Sequence, residues 1–144
     1  MKIQVNGLSV AYDIAGSSGE WVTLSHAHCC NRETWQALRQ QLSTHYRVLT
    51  FDARGHGDTS STPPPYTMAG LADDALQLLQ ALGVHRTHWV GQAMAGLDLN
   101  QRIQEIPSDT RRDGASESFP NHPLIAGCLA RCIAHGEYGA AGTI

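Results

Sequence analysis

The sequence predicts an α/β fold built on a mainly parallel sheet with helices on both faces. The order of local patterns points there first. A hairpin pattern is followed by strand–helix–strand–helix–strand–helix, and short crossovers of this kind make parallel pairs. The composition agrees: 42% hydrophobic and 16% charged residues over 144 positions suit a folded globular chain rather than a disordered one. Three strand-like segments also end in unusual loops, at His26, Asp52 and Gly91. In parallel sheets, ligands bind beyond the carboxyl ends of the strands.

The elements follow in chain order. Ile3 and Val5 alternate with polar residues, Asn6-Gly7 supplies a hairpin turn, and Leu8, Val10 and Tyr12 resume the alternation. Gly16-Ser17-Ser18-Gly19 is a loop. Trp21 to Leu24 is a short apolar strand ending at Ser25-His26. Asn31 is placed to cap a helix whose apolar stripe is Trp35, Leu38 and Leu42. Tyr46 to Phe51 is a buried strand centred on Val48 and Leu49. Asp52 to Pro65 is a long loop closed by three prolines. Thr67 caps a second helix, with Met68, Leu71, Ala75, Leu79 and Leu82 on one face and Gly83 as its stop. Thr87 to Val90 is a strand running into Gly91-Gln92-Ala93-Met94-Ala95-Gly96. A third helix carries Leu99, Ile103 and Ile106 until Pro107 ends it. Ser108 to Asn121 is polar and reads as a linker. Leu124 to His135 is an amphipathic helix with Ile125, Cys128, Leu129, Cys132 and Ile133 in line. The tail from Glu137 to Ile144 is rich in small residues, and no strand pattern follows Pro107. The expected organisation is an α/β part over residues 1–106, a polar loop over 107–123, and a helical remnant and tail over 124–144.

Charge and hydropathy exclude several classes of partner. Ten Lys and Arg against thirteen Asp and Glu give a net charge of -3, which is no footprint for nucleic acid or an acidic membrane surface. No apolar run approaches the ~18–20 residues of a membrane span. Met1 to Gly7 lacks the apolar core of a signal peptide. The expected address is the cytoplasm, where the four cysteines stay thiols.

The three strand-end loops together carry a family resemblance. Ser25-His26-Ala27, then Phe51-Asp52-Ala53-Arg54-Gly55-His56-Gly57-Asp58-Thr59, then Gly91-Gln92-Ala93-Met94-Ala95-Gly96 resemble, in order and spacing, the α/β-hydrolase superfamily. The wording around them is most like the 3-oxoadipate enol-lactonase and esterase branch. The resemblance covers residues 1 to about 106 and implies the N-terminal part of an α/β-hydrolase fold. The last helix and tail resemble the end of that branch's helical cap, as in a truncated relative. The activity implied is serine-dependent hydrolysis of a small-molecule ester or enol-lactone, with no cofactor and no metal.

The residues that should carry that chemistry are incomplete. The resemblance puts the nucleophile at position 93, and position 93 is alanine, whose methyl group cannot attack a carbonyl. Ala95 also replaces the usual glycine. The implied oxyanion hole is the backbone N–H groups of Ala27 and Met94, and His26 and His28 are expected to line the pocket. Asp109, Asp113, His122 and His135 follow Ala93, but none stands in a strand-end context that matches the family, so none is carried over as acid or base.

The reading is therefore a hydrolase-family member that is catalytically incomplete. One alternative is a non-catalytic binding or assembly module using the old pocket or an open sheet edge. In that picture Thr87 to Val90 is an edge strand, and unpaired backbone groups there favour self-association. A lesser alternative is a thiol or metal module at His26-Ala27-His28-Cys29-Cys30, which has donor types suited to zinc or copper but no second pair at ligand spacing. In the Asp52 loop the expected role is structural: Asp52 and Arg54 tie the loop down by ion pairs and backbone hydrogen bonds, and glycines permit its tight turns. Cys128 and Cys132, four apart on one helical face, read as buried small apolar side chains.

Overall fold

Side chains alternate across each strand, and this sorts the core into two layers on either side of one sheet. The computed structural model describes residues 1–93, 95 and 139–143. The strands are β1 (Lys2–Val5), β2 (Leu8–Ala15), β3 (Trp21–Ser25), β4 (Arg47–Phe51), β5 (His88–Gln92) and β6 (Gly139–Thr143). A 3-10 turn over Arg32–Trp35 leads into α1 (Gln36–Leu42), and α2 spans Met68–Ala81. The sheet order is β1-β2-β4-β3-β5-β6. Its centre, β4-β3-β5, is parallel, and the remaining pairings are antiparallel.

On β4, Leu49 and Phe51 join Val5, Leu8, Val10, Leu78 and Trp89 in the core beneath α2. Val48, one position out of phase, packs with Val22, Leu24, Trp35, Leu42 and Val90 on the α1 side. Fully buried side chains such as Leu24, Leu49 and Leu78 are each worth about 1.5–3 kcal/mol relative to exposure. The helix starts follow the caps read from the sequence. Asn31 accepts the Glu33 N–H at 3.0 Å, and Thr67 accepts the Gly70 N–H at 3.1 Å. Asn6 and Gly7 both take positive φ, as a two-residue hairpin turn requires. Among the described residues no helix is long and apolar enough to cross a membrane.

The structure corrects the sequence reading in several places. β2 runs three residues past Tyr12, because Tyr12 to Ala15 pair with Phe51 to Val48. The buried face of α2 also takes in Leu78 and Asp74. The largest correction concerns the tail. Residues Gly139–Thr143 form β6, which pairs antiparallel with β5 from His88↔Thr143 to Gln92↔Gly139. The sheet edge expected at Thr87 to Val90, and with it the basis for self-association there, is thus occupied by the chain itself. Ladder pairing uses only backbone groups, so the run Gly-Ala-Ala-Gly-Thr forms a strand without the apolar alternation that reveals one. The helices expected over 97–106 and 124–135, and the boundaries expected near 106 and 123, lie outside the described residues, as do Asp109, Asp113, His122 and His135.

Candidate active site

The parallel strands β3, β4 and β5 deliver His26, Asp52 and Ala93 to the same end of the sheet, each one residue past its strand. His26 is 1% exposed. Its Nδ1–H donates to the Ala27 carbonyl at 2.8 Å, and its Nε2 accepts the Ala53 N–H at 3.0 Å. These two bonds fix the neutral ring with the proton on Nδ1. Burial pushes its pKa below the ordinary 6.5, and nearby His56 acts the same way, against the Ala27 carbonyl and Asp52. With both nitrogens engaged by backbone, this imidazole ties the β3 loop to the β4 loop and has no lone pair left to act as a base.

Asp52 has no exposed surface. Its Oδ1 accepts the Arg32 N–H at 2.7 Å, its Oδ2 accepts the Asp58 N–H at 2.9 Å, and the Arg32 guanidinium closes on the same Oδ2. Gly57 makes that seat possible. It sits at φ +51, and a Cβ there would lie 2.2 Å from Asp52 Oδ2. Arg32 reaches on to Asp13 at 2.9 Å and Asp58 at 3.0 Å. Burial opposes its charge, but the bonds to Asp13, Asp58 and Asp52 outweigh that and raise its pKa further. Asp13 also receives Arg39 at 3.0 Å, and the two guanidiniums hold its carboxyl below the usual range despite partial burial. Thr59 completes the loop's anchorage: its hydroxyl donates to the Asp52 carbonyl at 2.8 Å and accepts the Ala11 N–H of β2 at 2.8 Å.

Arg54 turns the other way. It grips Asp74 of α2 through Nε at 2.5 Å and Nη2 at 2.6 Å, while the Asn6 amide donates to the same carboxylate at 2.6 Å. The bidentate bond to Asp74 holds the Arg54 pKa above its ordinary value. The structural role expected for Asp52 and Arg54 therefore holds, with partners that the motif alone does not name.

Ala93 follows β5 at φ +49, a left-handed conformation that a residue with a Cβ seldom adopts. Two residues on, Ala95 is buried, and its carbonyl accepts the Trp89 indole N–H at 3.3 Å. This bond ties Ala95 to a side chain of the strand that precedes it. Met94 lies outside the described residues. Ala27 is half-buried beside His26, and His28 is exposed with its ring edge-on to His56 at 5.4 Å. His56 in turn lies 5.2 Å from the His26 ring and bonds the Arg54 carbonyl through Nδ1 at 3.0 Å. Among the described residues no three His, Cys, Asp or Glu side chains are grouped to hold a metal ion.

Arg32, Asp13 and Asp74 are the residues that sequence reasoning missed. Asp74 left a signal: it stands three residues after Leu71 and four before Leu78, inside an apolar helical face where a charge needs a partner. Arg32 left none, since the carboxylates it clamps come from β2 and the loop after β4.

A sheet with a parallel core, one of whose parallel strands, β5, breaks into a left-handed turn at its carboxyl end, with anchored loops after the other two, fits the scaffold class of α/β hydrolytic enzymes. The chain belongs to the alpha/beta hydrolase fold family, whose model matches residues 20–97. It is 30% identical over 97 residues to 3-oxoadipate enol-lactonase 1 of Acinetobacter baylyi, covering 67% of this chain and 33% of that one. It is 34% identical over 87 residues to RutD of Yersinia enterocolitica, a carbamate hydrolase by name, covering 60% and 31%. The enol-lactonase structure from Burkholderia xenovorans LB400 superposes with a TM-score of 0.66 at 34% identity, over 68% of this chain and 39% of that one. The chain thus spans about a third of the length of these curated relatives.

Proposed function

We propose that this chain keeps the frame of a small-ester or enol-lactone hydrolase and does not carry out the reaction. The observation behind this is Ala93: the backbone at the expected nucleophile position keeps a left-handed turn while its side chain is a methyl group. A hydrolase elbow adopts that costly conformation to present a hydroxyl, and here no nucleophile is presented. Ala27 and Met94 are the backbone donors this reading assigns to the oxyanion hole, with His26 and His28 at the pocket. His26 serves there as a positioning residue, because its proton and lone pair are both engaged. The reading requires no cofactor and places the chain in the cytoplasm.

Active-site labelling tests it. A fluorophosphonate should leave residue 93 unlabelled, and hydrolysis of p-nitrophenyl acetate should not exceed the ~10³–10⁴-fold over water that hydrolases retain without a working triad. Faster turnover that one nearby substitution abolishes would overturn the reading.

A further inference from the structure

Cys29 and Cys30 are consecutive free cysteines in the loop after β3, the first exposed and the second half-buried. The Cys30 N–H donates to the Ala27 carbonyl at 3.2 Å, closing a four-residue turn, and Cys29 occupies its third position at φ +62. Glycine is the usual occupant of such a position. The exposed Cys29 thus sits in a tight turn, one residue before a second free cysteine. Zinc needs four ligands in a structural site, and among the described residues no third His, Cys, Asp or Glu completes one. A trivalent arsenic that already carries an organic group needs only two sulfurs, and soft thiolates are its preferred ligands. Adjacent cysteines supply two sulfurs on one short backbone loop, so the second As–S bond forms within the molecule.

We infer that Cys29 and Cys30 form a dithiol site that chelates trivalent organoarsenicals. In the reaction, R–As(OH)₂ meets two thiols. Two S–H bonds and two As–O bonds break, two As–S bonds form, and the protons leave with the hydroxyls as two waters. Arsenic stays trivalent, so no oxidant or reductant is needed. The turn links this event to the interior. The Ala27 carbonyl that closes it also accepts the His26 Nδ1–H, and His26 Nε2 holds the Ala53 N–H. A ring closed over Cys29 and Cys30 therefore acts on the tie between the β3 and β4 loops.

The test is intact mass of the full chain treated with phenylarsine oxide. One adduct per chain is expected, resistant to excess monothiol and released by 2,3-dimercaptopropanol. Cys29→Ser and Cys30→Ser should each abolish the monothiol-resistant adduct, and Cys128→Ser with Cys132→Ser should leave it intact. Binding should also shift the backbone amide resonances of Cys30 and Ala53. If either serine variant loses its native melt, Cys29→Ala and Cys30→Ala replace it and must give the same loss. An adduct that persists in either single variant, one that requires Cys128 or Cys132, or none at tenfold excess reagent would overturn the assignment.

Discussion

Replacing Ala93 with glycine should make this protein more stable. Ala93 sits at φ +49, where an L-residue with a Cβ pays about 1–2 kcal/mol against its right-handed alternative. Glycine pays no such penalty but loses more backbone freedom on folding, which costs about 0.5–1 kcal/mol. Ala93 is half-buried, so loss of its methyl removes only a little apolar burial. The balance is a gain of about 0.5–1 kcal/mol, or about 1–4 °C in melting temperature for a chain of this size. Urea unfolding of both proteins should show a higher midpoint for Ala93→Gly with an unchanged slope. Ala93→Val is the opposite control, since a β-branched residue tolerates positive φ even less than alanine. If Ala93→Gly lowers the midpoint and Ala93→Val leaves it unchanged, the turn is not left-handed and the argument that the elbow backbone survives its lost nucleophile collapses.

Further outcomes follow from the same geometry. Ala93→Ser alone should not produce ordinary esterase rates, because a serine needs a free base within ~3 Å and His26 has none to offer; a p-nitrophenyl acetate assay reads this directly. Gly57→Ala should cost about 3–5 kcal/mol by urea unfolding, as its Cβ would displace the buried Asp52 carboxylate from Arg32. Gly7→Ala, also at positive φ but with nothing within 4 Å, should cost only about 1–2 kcal/mol; equal losses would refute the clash. Stability should fall as pH drops below about 6.5, because His26 stays neutral in the fold while the unfolded chain takes up the proton. His26→Gln should flatten the part of that fall that begins just below about pH 6.5 in pH-resolved melts, whereas Asp13, paired with Arg32 and Arg39, and Glu20, bonded to His88, have lowered carboxyl pKa values and act at more acidic pH. Maleimide should label Cys29 and Cys30 before Cys128 and Cys132 in the native protein, as peptide mapping will show.

Much of this fold is legible because its signals are local. The caps at Asn31 and Thr67, the Asn6-Gly7 turn, and the alternation of Val48 with Leu49 are each written within a few neighbouring residues. The three strand-end loops are legible for the same reason, and they were enough to indicate the family. What stayed hidden depends on distant partners. Arg32 is one residue past a cap in sequence and a four-way clamp in space. That His26 ties two loops together shows only once both of its nitrogens are found bonded to backbone. The Asp52–Arg54 motif shows two charges that tie the loop down but not their partners, and each pairs with a different element. β6 is invisible because its glycines and alanines offer backbone alone, and its place depends on a bare strand far away in the chain.

That last pairing gives β5 two unlike flanks. Along any strand, successive amides point to alternate neighbours. Those of β5 that face β3 are locked by a parallel ladder lying between two packed helical layers. Those that face β6 are closed by a five-residue edge strand of small residues that pairs with β5 alone, and an edge strand frays before the packed middle of a sheet does. Amide hydrogens of β5 should therefore exchange with solvent deuterium in two alternating classes. One class should open only when the whole sheet unfolds, and the other whenever the terminal strand peels away.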